Sequence, residues 1–442
     1  MLHTVEPLAI PVYSSRQEKG NTKHPKRLTR DIHTLHTMVL FDFIDDDDIQ
    51  RQRRLRQVLL MVLLLQFHNN IRDRHILSRS AIVQPIESPW KRLYERGDDE
   101  SFFHLTGLNR RAFRMLMEYI FDLDEFTRRR RGRPRLLGPD GYLGLVLFYM
   151  GSTMTNKHLC LIFGTTPSVC SRAINWMLKK IVRALRDHPF ARVKFPDREK
   201  MREYAAMVQL REPLVDDIIG FMDGVSFPAE CTDDRFIQNA MYCGYDCDTM
   251  VNNVFAYGPD GKVFFAAINF PGSWADGSLT ARFLHQMKRR MLDYKICVDQ
   301  GFPRSGDAYG TFVGPITKRA ARRLHRDVRD YLLLISNVHT SLRQASEWGM
   351  RGLQGTFPRC KKRMPSDSAL RRLVIEAIVL VHNYRTELIG YSQIQTVFDP
   401  EYVRCENLQG YDRISQYYFR PGEYDSDIDD DVNESDGGSN AE

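Results

Sequence analysis

Residues 218–224 read IIGFMDG, and residues 294–301 read YKICVDQG. Each stretch begins with a short, nearly continuous apolar run, which is typical of a buried strand. Each run ends at an aspartate, Asp223 in the first and Asp299 in the second. A carboxylate at the end of an apolar strand costs desolvation energy, and two on adjacent strands repel each other. A divalent metal is the simplest compensation, because carboxylate oxygens suit Mg²⁺ and Mn²⁺, although either aspartate alone could cap a turn.

Further strands and a helix complete a predicted α/β domain around these two runs. Residues 251–257 and 262–270 predict two strands that form a hairpin, because the segment Pro-Asp-Gly between them favours a tight turn. Residues 370–388 repeat apolar side chains at helical spacing. Glu347, in a helix-like segment, is a candidate third acid for a metal pair, or an ordinary ion-pair partner of Arg351, four residues later.

Three helices are predicted ahead of this domain, over residues 142–150, 155–163 and 167–185. The short turn Gly-Thr-Thr separates the last two, and Pro167 opens the third at a favoured first-turn position. A short turn followed by a helix with early polar and basic residues is typical of a helix-turn-helix. An ordinary helical hairpin remains the alternative. The candidate DNA contacts are Ser168, Ser171, Arg172 and Asn175.

The charge of the chain is unevenly spread. The formal net charge is +7, and residues 421–442 contain nine acids and no Lys or Arg, so +16 remains on residues 1–420. Such a basic body favours a polyanionic partner, with nucleic acid as the first candidate. The segment TRRRRGRPR (127–135) is the most basic part. Its Arg131, Arg133 and Arg135 resemble an AT-hook core that enters an A·T minor groove, while a nuclear import signal and a solvated linker stay open.

Composition excludes several classes of protein. Hydrophobic residues make up 43% of the chain and charged residues 27%, which is the balance of a globular protein rather than a disordered or collagen-like one. The longest apolar run, residues 58–65, is far shorter than the ~20 residues of a membrane span. The eight cysteines form no CxxC pair, so we expect reduced thiols in an intracellular protein.

Six segments, in order, resemble the catalytic domain of PIF/Harbinger-type transposases, the DDE superfamily endonuclease group. They are GFMDGVSFP (220–228), QNAMYCGYDCDTMVNNVFAYGPDG (238–261), FPGSWADGSL (270–279), VDQGFP (298–303), SEWGMRGLQGTF (346–357) and IVLVHNYRTELIG (378–390). Each motif is weak alone, and the ordered set is specific. The region 141–185 also resembles the segment that precedes that domain.

This resemblance implies a ribonuclease-H-like fold with Asp223, Asp299 and Glu347 as a catalytic triad that binds Mg²⁺ or Mn²⁺. The implied chemistry is phosphodiester hydrolysis at element ends, followed by strand transfer into target DNA. Asp276 matches a recurrent acid of the family and is assigned a supporting role. Ala275 stands where the family often has histidine, and acids at 246 and 248 stand where it tends to have basic residues, which weakens inherited DNA contacts in that loop.

The implied partner is double-stranded DNA, at transposon ends and at the target. A basic stretch after Glu347 offers phosphate contacts, with a solvated loop as the alternative. Its candidate residues are Arg351, Lys361, Lys362 and Arg363. The resemblance also implies a nuclear protein, a possible homo-oligomer and a Myb/SANT-like accessory protein, and no membrane association is expected. A domesticated, catalytically inactive DNA-binding protein of the same fold is the alternative function.

The sequence is accordingly divided into six parts. These are a disordered N terminus (1–40), a helical region (41–126), an AT-hook-like basic linker (127–136), an all-α helix-turn-helix-like region (137–200), an α/β ribonuclease-H-like nuclease domain with a mixed sheet flanked by helices (214–400), and a C-terminal extension with an acidic disordered tail (401–442).

Overall fold

The computed structural model describes residues 48–75, 77, 79–121 and 135–404. The predictions made for the N terminus, for Arg131 and Arg133 of the basic linker, and for the acidic tail lie outside these residues. Within the described residues, helices come first and a mixed sheet with flanking helices follows. None of the described helices combines the length and apolar character needed to cross a bilayer.

Eight helices precede the sheet in the described residues. They are α1 (Asp48–His75), α2 (Pro89–Arg96), α3 (Asp99–Thr106), α4 (Arg110–Ile120), α5 (Pro139–Met150), α6 (Asn156–Phe163), α7 (Pro167–Leu185) and α8 (Arg198–Arg211). Short 3₁₀ helices span Arg79–Ala81 and Pro85–Glu87. Side chains that accept backbone N–H groups fix the starts of α2, α3, α4 and α8, because these donors lack partners within a helix.

The helical region packs around Trp90 of α2. Its indole ring stacks on Phe163, with 5.3 Å between ring centroids, and lies 5.9 Å from Phe113. Gly144 of α5 makes room for it, since a Cβ at that position would lie 2.3 Å from the indole. Each of these aromatic side chains is almost fully buried, so they form one apolar core shared by four helices.

The structure confirms the three helices predicted between residues 142 and 185. The predicted start of the third, Pro167, is correct, and the first begins three residues early because Pro139 opens it. Gly164 ends α6 in the left-handed region, at φ +62°, which allows the chain to turn sharply into α7.

The sheet has six strands in the described residues. They are β1 (Ile218–Pro228), β2 (Tyr242–Cys243), β3 (Asp248–Tyr257), β4 (Val263–Pro271), β5 (Lys295–Val298) and β6 (Phe312–Val313). Its order is β2-β3-β1-β5-β6, with β4 also paired to β3. The strand β1 is antiparallel to β3 and parallel to β5, and β3 and β4 form the predicted hairpin.

The largest difference from the predicted strands is that β1 continues past Asp223 to Pro228, and the two-residue strands β2 and β6 were not predicted. The parallel pairing of β1 with β5 ends at Met222 opposite Val298, one residue before each aspartate. The remainder of β1 stays extended because it pairs with β3, as far as Pro228 opposite Met250. The aspartate therefore marks the end of one strand pairing rather than the end of the strand.

Six helices follow the first strand. They are α9 (Arg235–Met241), α10 (Asp276–Met291), α11 (Lys318–Ala321), α12 (Arg326–Thr356), α13 (Ser368–Ile389) and α14 (Gln393–Phe398). Short 3₁₀ helices span Gly306–Ala308 and Pro358–Lys361. The helix α13 confirms the helix predicted over residues 370–388, but it is not amphipathic, because residues 374–386 are buried on every side. The helix α12 contains Glu347 as predicted.

The helices cover both faces of the sheet. The helix α10 buries Phe283 and Met287 against one face, in a cluster that includes Met222. The helices α12 and α13 pack on the other face, in a cluster that includes Phe221 and Phe255. This mixed α/β sheet with flanking helices is compatible with a ribonuclease-H-like fold.

Candidate active site

Two aspartates lie side by side where the parallel pairing of β1 and β5 ends. Met222 pairs with Val298, Asp223 is the next residue of β1, and Asp299 directly follows the end of β5. The Oδ1 of Asp223 accepts a hydrogen bond of 2.8 Å from the N–H of Gly224. The register of two parallel strands therefore brings together carboxylates that are 76 residues apart in the chain.

A third aspartate, Asp276, joins them from the first turn of α10. A Cβ placed on Gly224 would lie 2.6 Å from the Oδ1 of Asp276, and one placed on Gly301 would lie 2.9 Å from its Oδ2. The Asp276 carboxylate is thus seated between the two glycine backbones that follow Asp223 and Asp299. A Cβ at either position would force the Asp276 carboxylate to move.

The three carboxylates influence one another. Burial raises the pKa of Asp223 to about 6, the N–H of Gly224 opposes this shift, and the charges of Asp299 and Asp276 add to it. Burial and the charge of Asp299 also raise the pKa of Asp276. Partly buried like charges disfavour their ionised forms, so a cation at this edge of the sheet would relieve the repulsion.

The fourth acid, Glu347, is connected to Asp299 by Arg343, whose guanidinium lies between the two carboxylates. Nη2 of Arg343 lies 2.7 Å from Oε1 of Glu347, and Nη1 of the same guanidinium lies 3.8 Å from Oδ1 of Asp299. The sequence offered Arg351, four residues after Glu347, as the ion-pair partner, and that choice is wrong. Arg343 lies four residues before Glu347 on the same helix, a spacing that suits an ion pair as well as that of Arg351.

The donor chemistry of the edge fits a hard divalent cation, since all four acids offer carboxylate oxygens. Within the described residues, however, no three His, Cys, Asp or Glu side chains are grouped closely enough to hold a metal ion. The structure brings Asp223, Asp276 and Asp299 to one edge and leaves Glu347 paired with Arg343. Release of that ion pair is what would free Glu347 for a metal.

The predicted contacts of the helix-turn-helix region lie on the early turns of α7. Ser168, Arg172 and Asn175 are exposed. Ser171 is half-buried, and its Oγ accepts a hydrogen bond of 3.2 Å from Asn156 of α6. The outer side of α7 is therefore polar and accessible over its first two turns.

The basic residues after Glu347 divide into two kinds. Arg351 and Lys361 are exposed. Lys362 donates to the carbonyl oxygen of Thr153 at 3.0 Å, and Arg363 forms an ion pair of 2.9 Å with Asp248. The acid at position 248 thus neutralises a cation that the sequence assigned to DNA.

The linker contributes one described arginine. The guanidinium of Arg135 lies 5.3 Å from the ring centroid of Trp176, which belongs to α7, and Arg135 is exposed. A cation over an indole face is a favourable arrangement. The end of the predicted AT-hook-like linker therefore lies next to the helix that carries the predicted DNA contacts.

Residues 222–383 match the family model described as DDE superfamily endonuclease. The matched segment contains Asp223, Asp276, Asp299, Arg343 and Glu347, and it supports a DDE transposase-like nuclease domain. The match covers less than half of the chain, and it leaves the helical region outside. Neither a curated protein nor a solved structure matches the chain.

Proposed function

We propose that this protein is a metal-dependent DNA endonuclease that acts as a transposase of the PIF/Harbinger type. The observation that carries the proposal is the convergence of Asp223, Asp276 and Asp299 where β1 and β5 stop pairing. Three neighbouring carboxylates at the edge of a mixed sheet suit a cation-assisted reaction on a polyanion better than any reaction that they could perform unaided.

The residues have distinct roles in this proposal. Asp223 and Asp299 hold Mg²⁺ or Mn²⁺ together with Glu347, and Asp276 supports the cluster from the start of α10. Bound divalent cations supply an activated water or 3′-hydroxyl nucleophile and stabilise the leaving oxygen. Arg343 pairs with Glu347, and Glu347 could hold a metal only if this ion pair were released. The remaining task of the chain is to position DNA.

The exposed polar side of α7 provides that positioning, with Arg172 and Asn175 directed at duplex DNA. Arg351 and Lys361 supply phosphate contacts beside Glu347, because both are exposed and lie close to it in the chain. Hydrolysis at element ends would be followed by strand transfer into target DNA. A nuclear location, a Myb/SANT-like accessory protein and homo-oligomer formation belong to the same proposal.

Cleavage of duplex DNA by the full-length protein tests the proposal. We expect cleavage in Mn²⁺ or Mg²⁺ and none in a chelator. Asp299→Ala should lower the rate at least ~100-fold, because a metal contributes several kcal/mol of transition-state stabilisation. Asp293→Ala is the matched control, since Asp293 is an exposed acid that precedes the same strand.

Equal cleavage by wild type and Asp299→Ala would contradict the site assignment. Salt-dependent DNA binding without any metal-dependent cleavage would instead support the alternative, a DNA-binding protein of the same fold that has lost its activity.

A further inference from the structure

A groove runs along the edge strand β4, away from the acidic residues. Within the described residues, β3 is the only strand that pairs with β4, so the other edge of β4 faces no strand. The helix α10 lies on one face of the sheet and α13 on the other, and residues 192–198 pass alongside. Together they enclose a cavity of about 640 Å³.

The floor of the groove is apolar. Side chains from β4, α10, α13 and the passing segment form it, namely Phe195, Phe265, Ile268, Phe270, Phe283 and Val379. Phe195, Phe265 and Phe283 belong to the core cluster under α10, and Ile268 and Val379 belong to the cluster under α13. The groove therefore opens at the seam between the two layers of the domain.

The rim of the groove is basic. Six cations line it, namely Arg186, Arg192, Lys194, Arg198, Arg282 and Arg290, against three acids. Two of those acids are already engaged, since Glu376 binds Arg186 at 2.6 Å and Asp197 accepts the N–H of Lys200 at the start of α8. In the described part of the chain, no acid pairs with Arg192, Lys194, Arg198 or Arg290.

We propose that this groove binds the C-terminal segment of the same chain, residues 417–431, with the sequence YYFRPGEYDSDIDDD. This segment combines aromatic residues and an isoleucine with six acids and a single arginine. Its apolar side chains match the floor of the groove, and its acids match the unpaired cations of the rim. The free edge of β4 offers backbone groups to an extended peptide, as in recognition by strand addition.

The chain is long enough for this contact. The described residues end at Arg404, just after α14, and α14 contacts the end of α8 where Arg211 donates to the carbonyl oxygen of Val397. The groove lies at the other end of α8, which is ~21 Å long at 1.5 Å per residue. The thirteen residues from Arg404 to Tyr417 can span up to ~40 Å.

The apolar floor distinguishes this occupant from a nucleic acid. A phosphate backbone would use the cations of the rim and leave the apolar lining of the groove without a partner, whereas residues 417–431 offer acids to the rim and apolar side chains to the lining. The proposal does not depend on nuclease activity, because neither the groove nor the tail contains any of the acids assigned to catalysis.

Photo-crosslinking of the full-length protein tests the proposal. The crosslinking residue p-benzoylphenylalanine replaces Tyr424, and irradiated protein is separated by mass and mapped by mass spectrometry. We expect a crosslink within one chain, to residues 192–198, 265–270 or 282–290. Crosslinks only to other regions, no crosslink, or crosslinks only between two copies would overturn the proposal.

A charge-reversed pair of variants sharpens the test. Arg192→Glu combined with Arg290→Glu should lower the crosslink yield at least ~5-fold, and raised salt should lower it in wild type. Arg202→Glu combined with Arg289→Glu is the matched control. It makes the same change of net charge at exposed positions outside the groove, on α8 and α10. Equal loss in both double variants would contradict specific docking.

Discussion

The helix α10 contributes both to the acidic edge, formed by Asp223, Asp276 and Asp299, and to the basic groove along β4. Like charges are partly buried at the acidic edge and exposed to water at the groove. Asp276 begins this helix among other partly buried carboxylates, while Arg282 and Arg290 lie further along it at the rim of the groove. The carboxylates are held against glycine backbones, and burial together with mutual repulsion raises the pKa of Asp223 to about 6. The arginines are exposed, and water screens them from each other.

This difference in burial means that the charges of the acidic edge affect the stability of the fold, whereas those of the groove are available for binding. Buried like charges cost folding energy unless a counter-charge is close, so the acidic edge should gain stability from a cation or a proton. Exposed cations change the free energy of folding little, whether or not they are paired. The groove can therefore remain open to an acidic segment without weakening the fold, and three variants test this contrast.

The largest expected effect is on cleavage and comes from replacing Gly224, whose backbone lies against the Asp276 carboxylate. In Gly224→Ala the new Cβ would lie 2.6 Å from the Oδ1 of Asp276, so the carboxylate must move. Because small misplacements in an active site cost up to ~100-fold, we expect metal-dependent cleavage to fall ~10- to 100-fold in a nuclease assay. DNA binding, measured by fluorescence anisotropy, should stay unchanged.

Gly277→Ala provides the control for that variant. A Cβ on Gly277, in the first turn of α10, meets no atom within 4 Å. Cleavage by this variant should match wild type. A Gly224→Ala protein that cleaves at the wild-type rate would show that the position of the Asp276 carboxylate does not matter for the reaction.

The next effect concerns stability without metal. The pKa of Asp223 is raised on folding, so the folded state binds a proton between about pH 4 and pH 6 that the unfolded state has lost. Ionised Asp223 is therefore destabilising above pH 6, and this destabilisation disappears as the pH falls towards 4. We expect Asp223→Asn to raise the free energy of unfolding in a chelator at pH 8 by on the order of 1–3 kcal/mol.

Urea unfolding at pH 8 and pH 4 measures this difference, which should vanish at the lower pH. Arg290→Gln is the comparison from the basic groove, and it should change the free energy of unfolding by less than about 0.5 kcal/mol, because Arg290 is exposed. A less stable Asp223→Asn protein at pH 8 would refute the account of the acidic edge.

Local signals in the sequence predicted much of the fold. Pro167 and the glycine at 164 fix the turn into α7, and the apolar runs before Asp223 and Asp299 identify β1 and β5. These features depend on residues that are neighbours in the chain. The extension of β1 to Pro228 was missed because it depends on pairing with β3, which apolar runs alone do not indicate.

The details of the site were less predictable. The position of the Asp276 carboxylate depends on α10 beginning beside two glycine backbones, a contact that is made only in the folded protein. Glu347 had arginines at both helical spacings, and the packing of α12 places Arg343 rather than Arg351 towards Asp299. The groove could not be predicted, because it depends on which strand lies at the edge of the sheet.

The smallest expected effect concerns Arg343, which supplies the only positive charge placed between Asp299 and Glu347 among the described residues. A metal that binds both acids must displace this guanidinium, so Arg343→Ala should lower the Mn²⁺ concentration that gives half-maximal thermal stabilisation. Partly exposed ion pairs contribute at most about 1 kcal/mol, which corresponds to a ~2- to 5-fold change. Arg351→Ala removes an exposed arginine from the same helix and should leave the Mn²⁺ titration unchanged. If Arg343→Ala instead weakened Mn²⁺ binding, Arg343 would be holding the carboxylates in place for the metal. The acidic edge would then contain a fixed counter-charge, which the basic groove lacks.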